Sequence, residues 1–194
     1  MENENGIHET PESIWHFLKK RTKEVHASLE KSGFMAGFVS KDLDLDQYKL
    51  LLLRLYQALA PTEAAIVRSK HLDTFSSVKD RPYLAALKAD LAFFQIDTVF
   101  SGLAKQRYDF DTQPTLLGAL YVLEGSALGG RQLARMIGSR LGLTPSTGMA
   151  YFSLQAALGM SRWTAFQSQV EIDFASEDYA TCSEAALKIF QEFT

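Results

Sequence analysis

Apolar residues recur at three- and four-residue intervals along most of this chain, and strict alternation of apolar and polar residues is nearly absent. Such spacing places the apolar side chains on one face of an α-helix. The pattern predicts an all-α protein of six to eight helices. A length of 194 residues, with no internal repeat, suits one globular domain. We expect residues 13–194 to form that domain and residues 1–12 to be a disordered or frayed N-terminus.

N-cap residues, prolines and glycines predict where the helices begin and end. The first helix is expected to have Ser13 as its N-cap and to stop at Gly33. Pro61 is expected to kink or break the second helix, and Pro114 is placed to open a long one. The predicted helices cover residues 13–32, 44–68 with the interruption at Pro61, 82–94, 114–141, 161–173 and 176–193.

Charge and cysteine content exclude several classes of protein. The net charge of −3 gives no basic field that would attract nucleic acid. The single cysteine, Cys182, cannot form an intrachain disulfide or a CxxC site, which favours a reducing compartment. The first residues are polar and acidic, unlike a secretory signal, and no run approaches the roughly 20 apolar residues of a membrane helix. We therefore expect a soluble, cytoplasmic protein without nucleic-acid or membrane partners.

The long helix predicted over 114–141 contains five glycines, four of them between Gly118 and Gly130, although each costs about 0.8–1 kcal/mol relative to alanine inside a helix. Gly118, Gly125 and Gly129 fall on one face at spacings of seven and four. A face without side chains lets a flat or bulky group approach the backbone, and it also lets a helix bend. Tight packing of two helices, or a split at Gly129-Gly130, explains the same residues. From the glycines alone these explanations stay open.

On the first predicted helix Lys19, His26 and Glu30 lie close to one line, because residues seven apart differ by about 20° after two turns. Glu30 could accept a hydrogen bond from the imidazole nitrogen that does not bind a metal, and such a partner fixes the tautomer. An imidazole, an acceptor and a distant cation suit a metal-centred ligand with anionic arms. A surface histidine in a helical ion pair is the alternative.

Three segments together resemble the heme oxygenase family, particularly its short bacterial branch, in which some members accompany bacterial phytochromes. RTKEVHASLE resembles the proximal-helix motif, LYVLEGSALGG the distal-helix motif, and GMAYF at Gly148–Phe152 a short segment that follows the distal helix. Their order and separation also match, and the resemblance covers nearly the whole chain from about Ser13. It implies a single-domain, multi-helix bundle with heme between a proximal helix and a kinked, glycine-rich distal helix.

The resemblance also implies roles for individual residues. His26 would be the proximal axial ligand of the iron of heme b, and Glu30 would orient its imidazole. Lys19 and Tyr121 would meet the heme propionates. The distal helix would lie over the opposite heme face, where its backbone approaches dioxygen. The distal residues implied in this way are Gly125, Ser126, Gly129 and Gly130.

Two positions depart from the mammalian members of the family. Ser126 stands where those members have an aspartate that organises water in the pocket, and the bacterial branch also has serine there. On a late helix the mammalian members hold the propionates with further basic residues. Arg162 is the candidate for that contact here, because the neighbouring matches are Thr164 and Ser168. Propionate anchoring bears on which meso carbon of heme is cleaved.

The implied activity is degradation of heme to biliverdin, CO and iron with dioxygen and an external reductant, so that heme is both substrate and cofactor. The partners implied are an electron donor of the ferredoxin or flavin-reductase type and a bacteriophytochrome that receives biliverdin. A non-catalytic carrier or sensor of heme or another tetrapyrrole is the first alternative. A hydrolase of the thiaminase type is the second, and its chemistry needs a pocket cysteine, whereas Cys182 lies away from every motif.

Overall fold

The computed structural model of the protein describes residues 13–98, 108–170 and 174–193. Within these residues the chain forms eight α-helices, three short 3-10 turns and no β-strand, which confirms the predicted all-α class. The N-terminal residues expected to be frayed lie outside the described part. The helices are α1 (Ile14–Lys31), α2 (Gly33–Val39), α3 (Leu45–Arg68), α4 (Pro82–Phe93), α5 (Gln113–Ser126), α6 (Gly130–Leu141), α7 (Ala150–Val170) and α8 (Tyr179–Gln191), and the 3-10 turns are Leu72–Phe75, Ala127–Gly129 and Ser176–Asp178.

Two serines delimit the first helices. The Ser13 hydroxyl accepts a hydrogen bond from the His16 backbone N–H, which confirms the predicted N-cap of α1. Ser32 is in an extended conformation and ends α1, and its hydroxyl also accepts from the Met35 N–H at the start of α2. Gly33 therefore begins a short helix that the sequence pattern did not predict.

Helix α3 runs through Pro61 without interruption, so the alternative of a complete break there is wrong. Its start is well capped, because Asp44 and Gln47 form a reciprocal capping box. The Thr62 hydroxyl, next to the proline, donates to the Ala58 carbonyl 3.3 Å away. Buried residues on both sides of Pro61, among them Leu59 and Ile66, hold the helix against the core and offset the lost hydrogen bond.

By length and composition α3 could cross a membrane, and it is the one helix of the described residues that meets this test. Of its most apolar 18-residue window, 56% is buried inside the protein. A core helix of a soluble protein meets the same test, so the finding is weak evidence for a membrane span. Leu50 and Val67 are exposed on its outer side.

The long helix predicted over 114–141 is interrupted by the 3-10 turn Ala127–Gly129, which separates α5 from α6. A split next to Gly129-Gly130 was one of the alternatives left open by the glycines. Helix α5 is the more buried of the two helices, with seven apolar or glycine residues inside the core. The turn lies at the end of this buried helix, where the chain becomes exposed at Leu128 and Gly129.

Helix α7 begins eleven residues before the predicted start at 161, because another helix caps it. The Asp90 carboxylate on α4 accepts hydrogen bonds from the backbone N–H groups of Ala150 and Tyr151, at 2.6 and 2.8 Å. Gly148 precedes this cap with φ of 95°, a conformation that favours glycine. The GMAYF segment is thus the start of a helix held by a carboxylate from a distant part of the sequence.

Candidate functional site

Helices α1 and α5, which carry the two main motifs, both pack on α8 and meet each other through side chains. The Thr22 hydroxyl on α1 lies 3.3 Å from the Tyr121 hydroxyl on α5. Thr22 precedes His26 by about one helical turn, and Tyr121 precedes Gly125 by the same interval. The fold therefore makes the proximal and distal motifs neighbours although they are about 100 residues apart in sequence.

An aromatic cluster fills the space beside this contact. The Trp15 ring stacks on Tyr121 with centroids 6.4 Å apart and meets Trp163 and Phe166 edge-on. A Cβ built on Gly125 would lie 3.7 Å from the Trp163 ring, which is an ordinary van der Waals contact. Burial raises the pKa of Tyr121, while its hydrogen bond with Thr22 acts in the opposite direction. Tyr121 therefore carries a neutral phenol at the α1–α5 contact.

The His26 side chain is 55% exposed on α1. Its Nδ1 lies 3.5 Å from the Oε1 of Glu30, one turn further along the helix, as the spacing predicted. The ring meets Phe190 of α8 edge-on at 5.8 Å between centroids. Since Glu30 faces Nδ1, the Nε2 atom is the nitrogen left for a ligand. Lys19 is exposed on the same helix.

The four glycines of the distal segment differ in what their missing side chains would meet. A Cβ at Gly118 would overlap the Cys182 carbonyl oxygen of α8, and one at Gly130 would overlap the Gln155 side chain of α7. These two glycines serve helix packing. At Gly129, in contrast, no atom of the described residues lies within 4 Å of a built Cβ, and we call this side of the turn the open side of Gly129.

Ser126 is exposed at the end of α5, and its hydroxyl donates a hydrogen bond to the Leu123 carbonyl at 2.7 Å. Such a bond to the preceding turn is typical of a serine at a helix end. Ser126 and Gly129 are thus exposed, Gly125 is half-buried, and Gly130 is buried. The structure separates the four predicted distal residues into three that border solvent-accessible space and one that packs on α7.

Arg162 on α7 lies in a buried cluster of charged side chains. Its Nε donates to Oε2 of Glu124 at 3.0 Å, and its Nη2 donates to Oε1 at 3.1 Å. The same Nη2 also donates to the Asp80 carbonyl at 2.9 Å. The guanidinium is 12% exposed and is held by these acceptors, which places it away from the propionate contact that the resemblance implied.

Two further residues complete this arrangement, which we call the buried ion cluster: Glu63, Arg81, Glu124 and Arg162. Arg81 donates to both oxygens of Glu63 at 2.8 Å and also to Glu124. Burial disfavours the charge of Arg81, but the two carboxylates outweigh burial and hold the pKa of Arg81 above its ordinary value. This cluster was not predicted from the sequence. A glutamate inside the apolar run LYVLEG was the signal for a buried charge that needs a partner.

A groove of about 680 Å³ lies between α3 and α4, with Tyr56, Pro61, Leu84 and Lys88 among its lining residues. It contains none of the residues predicted for heme or dioxygen. Glu63 and Arg81 of the buried ion cluster form part of its wall. The groove is therefore separate from the α1–α5 region that carries the two motifs.

A sequence profile of the family described as heme oxygenase matches residues 13–194. The chain belongs to the heme oxygenase family. This finding confirms the resemblance at the level of the family, whereas membership of its bacterial, phytochrome-associated branch stays a prediction.

Curated heme oxygenases are similar to most of this chain. Heme oxygenase 1 of Homo sapiens is 31% identical over 159 residues, which are 74% of this chain and 55% of the human protein. Heme oxygenase 1 of Gallus gallus is 29% identical over 172 residues, or 80% of this chain and 57% of the relative. The chain thus spans about half the length of the curated relatives that it matches.

The heme oxygenase of Leptospira interrogans, a solved structure, has the same fold. It superimposes with a TM-score of 0.66 at 18% sequence identity, covering 94% of this chain and 97% of the other. The heme oxygenase fold predicted from the motifs is therefore confirmed.

Cys182 lies on α8 with its backbone carbonyl against Gly118, and its side chain is buried. Burial, with a smaller contribution from the charge of Asp178, raises the pKa of the Cys182 thiol to about 12. A thiol with such a pKa is protonated at neutral pH and is a poor nucleophile. The structure therefore gives no support to a cysteine-dependent hydrolase.

Proposed function

We propose that this protein is a heme oxygenase that degrades heme to biliverdin, CO and iron with dioxygen and an external reductant. The observation that carries the proposal is the exposed His26 imidazole, whose Nδ1 faces Glu30, in a member of the heme oxygenase family. An imidazole held in this way can offer Nε2 to iron. Heme supplies both the redox-active iron and the macrocycle that is oxidised.

We expect heme to be held from two sides, by α1 and by the distal segment. On α1, His26 is exposed and would bind the iron, while Glu30 would accept a hydrogen bond from Nδ1 and hold the ring orientation. On the distal segment the open side of Gly129 leaves room for a flat group to approach the backbone. Gly125 would be part of the same backbone surface next to heme. Gly130 would keep α6 close to α7.

The heme propionates would be held by Lys19 and Tyr121. Lys19 offers an exposed ammonium group two turns before His26, at a rise of about 10.5 Å along the helix axis. The Tyr121 phenol is neutral and could donate a hydrogen bond to a propionate in exchange for its bond with Thr22. Because Arg162 is hydrogen-bonded to Glu124, fewer residues are proposed to hold the propionates than the resemblance implied.

On the distal side this chain would act through its backbone and Ser126. The missing side chain at Gly129 would leave room for dioxygen and water between the backbone and heme. The Ser126 hydroxyl donates to Leu123 and keeps its lone pairs free to accept from a water molecule. The proposed role of these residues is to orient water that delivers protons, because no acidic side chain of the distal motif is exposed there.

The remaining parts of the proposal follow from the resemblance and the composition. They are a cytoplasmic location, an electron donor of the ferredoxin or flavin-reductase type, membership of the bacterial branch, and delivery of biliverdin to a bacteriophytochrome. The single buried cysteine supports the first of these.

The proposed reaction is tested by its products. The hemin-loaded protein is incubated in air with excess reductant and catalase, and we expect one CO and one iron released for each heme consumed, with biliverdin in the extract. Heme that is retained without release of CO would support the non-catalytic carrier or sensor and would contradict the proposal. Omitting the reductant is the control.

A further inference from the structure

The buried ion cluster joins four separate parts of the fold. Glu63 comes from α3, Arg81 precedes α4, Glu124 is in the last turn of α5, and Arg162 is on α7. Their side chains are 3%, 6%, 0% and 12% exposed. Two arginines and two glutamates balance in charge. The cluster adjoins the glycines of the distal segment, since Glu124 immediately precedes Gly125.

Helix α7 contacts the distal segment at a second point close to this cluster. A Cβ built on Gly159 would lie only 2.6 Å from the Ala127 carbonyl, so α7 and the 3-10 turn approach each other at backbone distance. Gly159 and Arg162 are three residues apart on α7, and Glu124 and Ala127 are three apart on the distal segment. Residues at this spacing share one face of a helix. Two contacts, one a close approach to the backbone and one ionic, therefore join the same two faces.

The ionic contact is suited to fixing geometry more than to adding stability. Desolvation of buried ions offsets most of their mutual attraction, and apolar residues of similar volume are often as stable. A carboxylate that accepts two hydrogen bonds from one guanidinium, in contrast, constrains both distance and angle. Glu124 makes this paired contact with Arg162 and accepts from Arg81 as well.

We propose that Glu124 and Arg162 are positioning residues that set the place of the 3-10 turn Ala127–Gly129 relative to α7, and with it the space on the open side of Gly129. They act through the turn and do not touch heme. The inference rests on the proposed function only where it equates this space with the distal side of heme. The position of the turn itself can be measured in the protein without heme.

The first test is hydrogen exchange of the heme-free protein carrying Glu124→Gln, with Glu63→Gln as the matched control. Both variants remove one carboxylate charge from the same cluster, but Glu124 alone adjoins the turn. We expect exchange of the amides at 125–130 to become about tenfold faster in Glu124→Gln and to change less than about twofold in Glu63→Gln. Equal acceleration in both variants would overturn the positioning role.

The second test separates positioning from stability and remains informative if Glu124→Gln does not fold. The double variant Glu124→Leu with Arg162→Met removes one ion pair and leaves Arg81 balanced by Glu63. We expect a thermal midpoint near that of the wild type, since apolar replacement of a buried pair is tolerated, but exchange at 125–130 as fast as in Glu124→Gln. Wild-type protection of these amides would overturn the proposal.

The third test uses the hemin-loaded variants. Ferric heme affinity should stay within about threefold of the wild type in the double variant, because His26 is on α1 and outside the cluster. The Fe–CO stretching band of the ferrous CO complex should shift and broaden, since it reports on the distal space. An unchanged band together with fast exchange would remove the link to the heme site. Failure of the wild-type protein to bind hemin would instead count against the proposed function.

Discussion

His26 is the residue on which the proposed heme site depends most. Removing its imidazole by His26→Ala takes away the proposed iron ligand and leaves the fold unchanged, because the side chain is exposed. We expect the ferric complex to lose the optical and EPR signature of histidine-ligated heme. The measurement is a hemin titration followed by both spectroscopies.

The control for His26 is His16→Ala, which removes another exposed histidine of α1. This variant should bind hemin with the wild-type spectrum. If His26→Ala also retains the wild-type spectrum and turnover, the assignment of the axial ligand is incorrect.

Gly129 and Gly130 are adjacent, and the structure predicts opposite effects of adding a methyl group. At Gly130 the new Cβ would overlap Gln155, and we expect Gly130→Ala to destabilise the protein by about 1–3 kcal/mol. Gly129→Ala meets no described atom and should be neutral or stabilising by up to about 1 kcal/mol. Urea unfolding of the two heme-free variants measures the difference.

A bulky residue at the open side of Gly129 extends this comparison to the proposed site. Gly129→Phe should leave ferric heme binding to His26 intact and reduce the affinity of ferrous heme for CO and dioxygen. Unchanged ligand affinity in a folded Gly129→Phe protein would contradict the proposal that this side borders the distal space.

At the scale of elements, the start of α7 depends on Asp90 of α4. Replacing the carboxylate by an amide in Asp90→Asn removes one of two acceptors for the N–H groups of Ala150 and Tyr151. We expect a loss of about 1–3 kcal/mol of stability and faster hydrogen exchange in the first turn of α7. Unfolding in urea and exchange of the backbone amides measure the two effects.

The difference in the free energy of unfolding between the wild type and Asp90→Asn should depend on pH. Burial raises the pKa of Asp90 above its ordinary value of 3.8, although the two N–H donors act in the opposite direction. The folded state therefore binds a proton more readily than the unfolded state does. Relative to Asp90→Asn, the wild type should lose stability as the pH rises from about 3.8 through the raised pKa. If the stability of the wild type relative to Asp90→Asn increases with pH, the pKa of Asp90 is not raised in the folded protein.

Local sequence patterns predict some of the helix ends correctly and miss others. The Ser13 cap and the start of the helix predicted over 82–94 were local signals, and these two helix starts lie where they were expected. Helix α7 was predicted to start late because its first turns are apolar on several sides and its cap comes from Asp90, sixty residues away. Helix α2 was missed because Gly33 was interpreted as a stop.

At the scale of the whole molecule, tertiary contacts decide what the motif residues do. The glycines of the distal motif are equivalent in sequence, but packing on α8 and α7 explains Gly118 and Gly130, and only the surroundings distinguish Gly129. Arg162 was expected at a propionate, but Glu124 binds its guanidinium. The sequence contained Glu124 as an unexplained charge in an apolar helix, but its partners come from three other parts of the chain.

The whole-molecule account is tested most directly by an optical time course of the hemin-loaded protein with reductant and catalase in air. The account predicts loss of the Soret band with growth of a biliverdin band, and the product can then be typed for the meso carbon that is cleaved. His26→Ala should not show this conversion. A Soret band that persists while heme cycles between its ferric and ferrous-oxy forms would contradict the proposed oxygenase and indicate a heme carrier or sensor.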